Sequence, residues 1–162
     1  MNDPIHGAPD AARRHHAGPG GLQAEIAATL ADASWLAEWL GDNLPSHLPQ
    51  EIRDTLELGV AEVLSNIVRH GHGGDSPAAR ISLECRNDAR AITVEVRDHG
   101  LPAPASCFET AAAPPGFGKD ALEALPESGL GLALIRSAFD EIDYEPGSGV
   151  GSNRLRLRRH LR

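Results

Sequence analysis

The chain is poor in three things that would direct a reading elsewhere. It has only two cysteines, Cys85 and Cys107, too few and too unpatterned for a disulfide framework. It has no apolar run near the ~20 residues that span a bilayer, and no charged-then-apolar secretory leader opens it. Positive charge is also scarce. The formal charge is −8 with a sequence pI of about 5.4, and Lys119 is the lone lysine. That field repels nucleic acid and anionic membrane, so a protein partner or a small ligand carrying its own counter-ion is expected in a reducing, cytoplasmic setting. The 162 residues suffice for one domain with a real core and leave no room for a second catalytic domain.

The first twenty-odd residues, with Pro4, Gly7, Pro9, Gly18, Pro19, Gly20 and Gly21, lack an apolar period and are expected to form a mobile tail. Its histidines His6, His15 and His16 have no carboxylate or thiolate spaced to complete a metal site, so a solvated tail is the reading. A short strand is expected from Leu22 to Thr29. A helix capped by Asp32 or Ser34 then runs through Trp35, Leu36, Trp39 and Leu40. After the break at Leu44 to Pro49, a longer helix spans about Gln50 to Gly71. Leu56, Val60, Val63, Leu64, Ile67 and Val68 form its apolar sector, and Gly71 to Gly74 stop it.

The period then changes to two. Ile81, Leu83 and Cys85, a turn at Asn87-Asp88, and Ile92, Val94 and Val96 predict a β-hairpin. Leu101 to Ser128 is proline- and glycine-rich, long for a structureless loop, and reads as a lid or binding loop. A helix beginning in glycines carries Leu130, Leu132, Leu134, Ile135, Ala138 and Phe139, and two strands, Glu141 to Glu145 and Asn153 to Arg158, close the chain. The order strand, helix, helix, hairpin, lid, helix, hairpin predicts an α+β two-layer sandwich, with a mixed or antiparallel sheet covered on one face by helices.

Chemistry concentrates in three places. Glu62, Asn66 and His70 recur at steps of four on the second helix. Such steps drift only about 40°, so the three share a stripe bordering the apolar sector, where they would line a cleft. A ladder of i, i+4 surface pairs would look the same. On the hairpin, the inward parity of Ile92, Val94 and Val96 continues to Asp98, placing a carboxylate where a core side chain should go. A buried carboxylate needs a partner. The amino group of a purine would serve, and Gly100 would let a flat ligand approach; a turn aspartate closing a strand is the plainer alternative. Thirdly, Gly129-Leu130-Gly131-Leu132 opens the last helix. Helix-terminal N–H groups there could hold phosphate oxygens, or the glycines could only allow close packing.

Other readings fail on spacing. Gly116-Phe117-Gly118-Lys119 lacks full phosphate-loop spacing and follows no strand. The signatures of eukaryotic-type protein kinases are absent. His70-Gly71-His72 with Glu62 misses the spacing of a helical zinc site. No room exists for the phosphoacceptor helical hairpin of a sensor histidine kinase.

Taken in order, Glu62-Val-Leu-Ser-Asn66-Ile-Val-Arg-His70-Gly71 resembles the N box of the GHKL, or histidine-kinase-like, ATPases. Asp98-His99-Gly100 resembles their first glycine motif, and Ser128-Gly129-Leu130-Gly131-Leu132 the second. The run from Leu132 to Tyr144 and Asn153-Arg-Leu-Arg-Leu-Arg158 resemble the closing helix and strand of the anti-sigma-factor serine/threonine kinase branch. The resemblance assigns residues 22–162 to a Bergerat-type ATP-binding domain and leaves residues 1–21 as a disordered tail. It implies ATP and Mg²⁺ as cofactors, with Asn66 as the metal ligand and Glu62 as the catalytic base or water-orienting carboxylate. Asp98 would accept the adenine amino hydrogen and Gly100 would admit the base. Gly129 and Gly131 would present N–H groups to the phosphates, with Leu130 and Leu132 in the same binding turn and His70 counted in the nucleotide-binding set. Where some relatives place an arginine before the second glycine motif, this chain has Glu127-Ser128; Lys119 could reach the γ-phosphate instead, or be a solvated loop lysine. Pro102 stands where many members carry a further glycine. The implied activity is phosphorylation of an anti-sigma-factor antagonist on serine or threonine, with a sigma factor as alternative partner and often a homodimer. A nucleotide-gated binding module without kinase activity, or simple ATP hydrolysis, remain alternatives.

Overall fold

The computed structural model of the chain describes residues 13–103, 127–148 and 151–162, with the side chains of residues 127–130 outside that description. Six strands form one sheet in the order β1-β2-β3-β4-β6-β5. They are β1 (Arg14–Gly18), β2 (Gly21–Ala28), β3 (Ser76–Asn87), β4 (Ala91–Asp98), β5 (Glu141–Glu145) and β6 (Asn153–His160), and every pairing is antiparallel. The helices are α1 (Leu30–Asn43), α2 (Gln50–Asn66) and α3 (Glu127–Ala138), with α2 packed between the other two. The α+β architecture is as the sequence order predicts, with the sheet wholly antiparallel.

Parity decides which face of the sheet is covered. Ala24 and Ile26 of β2, Ile81, Leu83 and Cys85 of β3, Ile92, Val94 and Val96 of β4, and Leu155 and Leu157 of β6 are buried in one cluster. The helices close it with Leu36, Leu40, Leu56, Val60, Val63, Leu64, Ile135 and Phe139. Full burial of one such side chain contributes about 1.5–3 kcal/mol, so this layer carries most of the stability. The alternate residues form a charged outer face. There Glu95 receives Arg97 at 2.7 Å and Arg154 at 3.2 Å.

Two expectations are corrected at the N-terminal end. Arg14–Gly18, expected in a mobile tail, is an edge strand paired with β2. Its neighbours hold it down: Arg13 pairs with Asp32 at 2.7 Å and lies 4.8 Å over the Trp35 ring. The His15 ring sits 5.3 Å from Trp35 and 5.4 Å from Trp39. The strand is fixed by these contacts with α1 rather than by any apolar period of its own. The cap of α1 is Thr29, in extended conformation, whose hydroxyl accepts the Asp32 N–H at 3.2 Å. Asp32 is therefore inside the first turn, where its charge complements the helix dipole and meets Arg13.

The long second helix ends differently from a plain α-helix. Ile67–Gly71 widens into a π turn, closed by the His72 N–H to the Ile67 carbonyl at 3.1 Å. Gly73 and Gly74 then take positive φ, and the Gly74 N–H returns to the Val68 carbonyl at 2.9 Å. The Gly71 carbonyl accepts the Leu101 N–H at 2.7 Å, tying the helix end to the exit of β4. Widened turns of this kind are frequent at functional sites, and this one borders the cleft described next.

Candidate functional site

Asp98 closes β4 on the covered face, opposite Ile81 of β3 and Asn153 of β6, and is 6% exposed. This is the inward position its parity predicts. Its Oδ1 accepts the Gly100 N–H at 2.7 Å and the Asn153 amide at 3.3 Å, and faces His72 Nε2 at 3.6 Å. Among the described residues these partners all converge on Oδ1, which leaves Oδ2 able to accept from a ligand. Asn153 is also buried. Its amide nitrogen donates to the Gly100 carbonyl at 2.9 Å, and its oxygen accepts the Gly147 N–H at 2.8 Å. One side chain thus ties the carboxylate, the turn after it and the β5–β6 connection.

Gly100 serves a purpose within the chain itself. A Cβ there would lie 2.6 Å from the Gly71 carbonyl oxygen and 3.0 Å from Asp98 Oδ1. Only a bare Cα lets the end of β4 come this close to the end of the second helix.

On α2, Glu62 and Asn66 are half-buried and share one stripe. The start of α3 rests on them. A Cβ at Gly131 would meet Glu62 Oε2 at 2.9 Å and the Asn66 side-chain amide at 3.5 Å. Gly129 is the third residue of α3, in the turn whose N–H groups have no acceptor within the helix, whereas Gly131 lies beyond it. Leu132 packs against the core, and Leu130 is among the residues whose side chains are not described. His70 falls on the π turn and is exposed. Lys119 and most of the predicted lid lie outside the described residues.

The structure therefore brings together Glu62, Asn66 and Gly131 in one group, and Asp98, Gly100, Gly71 and His72 in another. Sequence reasoning missed Asn153 and His72. Asn153 was findable, since it stands at the same inward parity as Leu155 and Leu157, as Asp98 does on β4. His72 gave no such signal, because the π turn changes the helical register just before it. Tyr144 is a further addition. Its hydroxyl accepts the Ala103 N–H at 2.8 Å, anchoring the segment that leaves the site.

Glu62 Oε2 and Asn66 Oδ1 both lie within 4 Å of the place a Gly131 Cβ would take, and carboxylate and amide oxygens are the hard donors that Mg²⁺ takes beside phosphate oxygens. The donor chemistry fits the ion. Cys85, by contrast, is buried, and burial pushes its thiol up to about 12, so it is neither nucleophile nor ligand. A groove of about 490 Å³ lies on the opposite, charged face of the sheet, lined by residues such as Arg14, Gln23, Glu84, Glu95 and Arg97. None of the site residues reaches it, and its central Glu95 is already paired with arginine.

Comparison with known proteins identifies the family. Residues 22–159 match a family model described as the histidine kinase-like ATPase domain. The chain is 31% identical over 140 residues to the serine/threonine-protein kinase BtrW of Bordetella bronchiseptica, covering 86% of this chain and 92% of that protein. It is 28% identical over 97 residues to the serine-protein kinase RsbW of Bacillus mycoides, covering 60% of this chain and 59% of that protein. Among solved structures, the mycobacterial sensor histidine kinase MprB superposes with a TM-score of 0.45 at 15% identity, covering 84% of this chain and 97% of that one. A family match running from β2 into β6, joined by a relative aligned over most of its own length, leaves one conclusion: the chain belongs to the histidine kinase-like ATPase domain family.

Proposed function

We propose that this chain is an ATP- and Mg²⁺-dependent serine/threonine protein kinase that acts as an anti-sigma factor by phosphorylating an anti-sigma-factor antagonist. The observation that carries the reading is the seating of Gly131 on Glu62 and Asn66, which puts a carboxylate, an amide and a glycine-opened helix in one place. The two relatives, both protein kinases acting on serine or on serine and threonine, support phosphoryl transfer over mere binding. The partner assignment, antagonist and sigma factor, rests on the family resemblance, as does a homodimer. No helix among the described residues is long and apolar enough to cross a membrane, and a cytoplasmic setting is part of the proposal.

Each residue has a task in this reading. Asp98, held at Oδ1 by Gly100 and Asn153, offers Oδ2 to the amino group of adenine. The N–H groups of the first turn of α3, Gly129 among them, face phosphate oxygens at the positive end of the helix dipole. The Asn66 amide oxygen would hold Mg²⁺, whose charge, when bound, offsets that of the phosphates. Glu62 accepts the proton of the acceptor hydroxyl as its oxygen bonds to phosphorus, and the ADP oxygen departs with the bond electrons. Positioning and charge neutralisation supply most of the acceleration in such transfers.

The test is incubation of the chain with γ-labelled ATP and a candidate antagonist. Label on a serine or threonine of the antagonist is expected; nucleotide binding without transfer would favour a gated binding module, and phosphate release with no acceptor would favour a simple ATPase. Asn66→Ala should abolish Mg²⁺-dependent nucleotide binding or turnover. Glu62→Ala should spare binding and lose transfer by about 10²–10⁴-fold, the usual contribution of a general base. An Asn66→Ala variant that bound and turned over ATP like the parent would end the proposal.

A further inference from the structure

Among the described residues, one buried polar atom of the site has no partner. The His72 side chain is 8% exposed and its Nε2 is buried with no hydrogen-bond partner. That nitrogen stands 3.6 Å from Oδ1 of Asp98, whose own side chain is 7% exposed. A buried imidazole nitrogen left unpaired is costly, and structures keep such atoms where a ligand or a small shift completes them.

We propose that His72 is a positioning residue for base recognition: its Nε2–H steadies Oδ1 of Asp98, so that Oδ2 stays turned to the amino group of an adenine. This inference rests on the ATP reading above. Oδ1 already accepts from Gly100 and Asn153, which arrive from the turn after β4 and from β6. His72 arrives from the end of the π turn. Donors from three different elements on one oxygen fix the carboxylate rotamer, and a gap of 3.6 Å closes to a hydrogen bond with a shift of a few tenths of an ångström. Guanine presents a carbonyl oxygen where adenine presents its amino group, so a carboxylate held this way accepts from adenine and repels guanine. His72 then sets how strongly the pocket prefers one purine over the other.

The test measures binding of Mg²⁺ complexes of ATP, GTP and inorganic tripolyphosphate to the full chain by calorimetry. His72→Phe keeps a ring and removes the nitrogens; His72→Gln restores an N–H near the place of Nε2. The phenylalanine variant should bind ATP about tenfold more weakly, the loss of one hydrogen bond to a charged group, and should discriminate less against GTP. Tripolyphosphate, which has no base, should bind both alike. The glutamine variant should recover most of the ATP affinity, and in the transfer assay the phenylalanine variant should raise KM with kcat unchanged. Unchanged ATP affinity in His72→Phe, a parallel loss for tripolyphosphate, or a glutamine variant as weak as phenylalanine would each overturn the inference. Nitrogen-15 spectra of histidine-labelled parent protein give a check without mutation: ATP, but not tripolyphosphate, should move the His72 Nε2 resonance, and a resonance indifferent to ATP would overturn it too. Asp98→Asn separates the two levels. If it loses ATP while His72→Phe does not, the role of His72 falls and the ATP site stands; if it binds ATP like the parent, base recognition by Asp98 falls and His72 with it.

Discussion

Gly100 is the residue on which the geometry of the cleft turns, because two backbone segments meet across it. An alanine there must push against the Gly71 carbonyl, a group fixed by its own bond to Leu101. Gly100→Ala is therefore expected to cost about 1–3 kcal/mol, as overpacking does, and to lower Tm by roughly 2–4 °C per kcal/mol for a chain of this size. Thermal denaturation followed by circular dichroism measures it, and an unchanged Tm would show that the close approach is not needed. Gly131 is the contrasting case. Its neighbour is the mobile end of Glu62, which can swing aside, so an alanine there touches the chemistry before it touches the fold.

At the scale of elements, β1 pairs with β2 along its whole length and is also touched by α1. His15 lies against two indoles that stack with each other at 6.1 Å, and Arg13 covers one of them. Removing the imidazole in His15→Ala should expose Trp35 and Trp39 and shift their fluorescence to longer wavelength, with a small loss of Tm. A spectrum identical to that of the parent would mean the strand does not shelter them. The π turn is the other element with consequences. It interrupts the stripe of Glu62, Asn66 and His70, leaving the first two in the cleft and His70 exposed, and delivers His72 to Asp98 in its place.

Over the whole molecule two carboxylates respond to pH with opposite signs. On the helical side burial raises the pKa of Glu57, and Asp42, Glu38 and Asp54 raise it further. Its folded form binds the proton more tightly than the unfolded chain, so ionisation at neutral pH costs stability that returns as pH falls toward 4.5. On the open sheet face, burial pushes Glu95 up, but hydrogen bonds and charges from Arg97 and Arg154 outweigh it and hold the carboxyl below its usual range. Glu95 therefore stabilises the fold above about 4.5, and that contribution is lost as pH falls through its lowered pKa. Glu57→Gln should raise Tm at pH 7 and do so less in mild acid, whereas Glu95→Gln should lower Tm at pH 7, with the difference vanishing in acid. Melting curves across pH check both signs, and a Glu57→Gln variant less stable than the parent at pH 7 would contradict the first.

What could be read along the chain was whatever depends on period and local chemistry. Periods of 3.6 and two place α2, α3 and the β3–β4 hairpin, and parity alone carries Asp98 into the core, because alternate side chains of a strand must share a face. The order of motifs, Glu62 and Asn66, then Asp98 and Gly100, then Gly129 and Gly131, is likewise legible along the chain, and it carries the family resemblance. Three things waited for the tertiary structure. β1 is set by its pairing with β2 and by the contacts of Arg13 and His15 with α1, which no local pattern encodes. Asn153 acquires its role from the pairing of β6 with β4, across 55 residues of sequence. His72 meets Asp98 after a π turn that breaks the helical register, and the Gly71 carbonyl there bonds the Leu101 N–H, a contact between distant segments that no local pattern encodes.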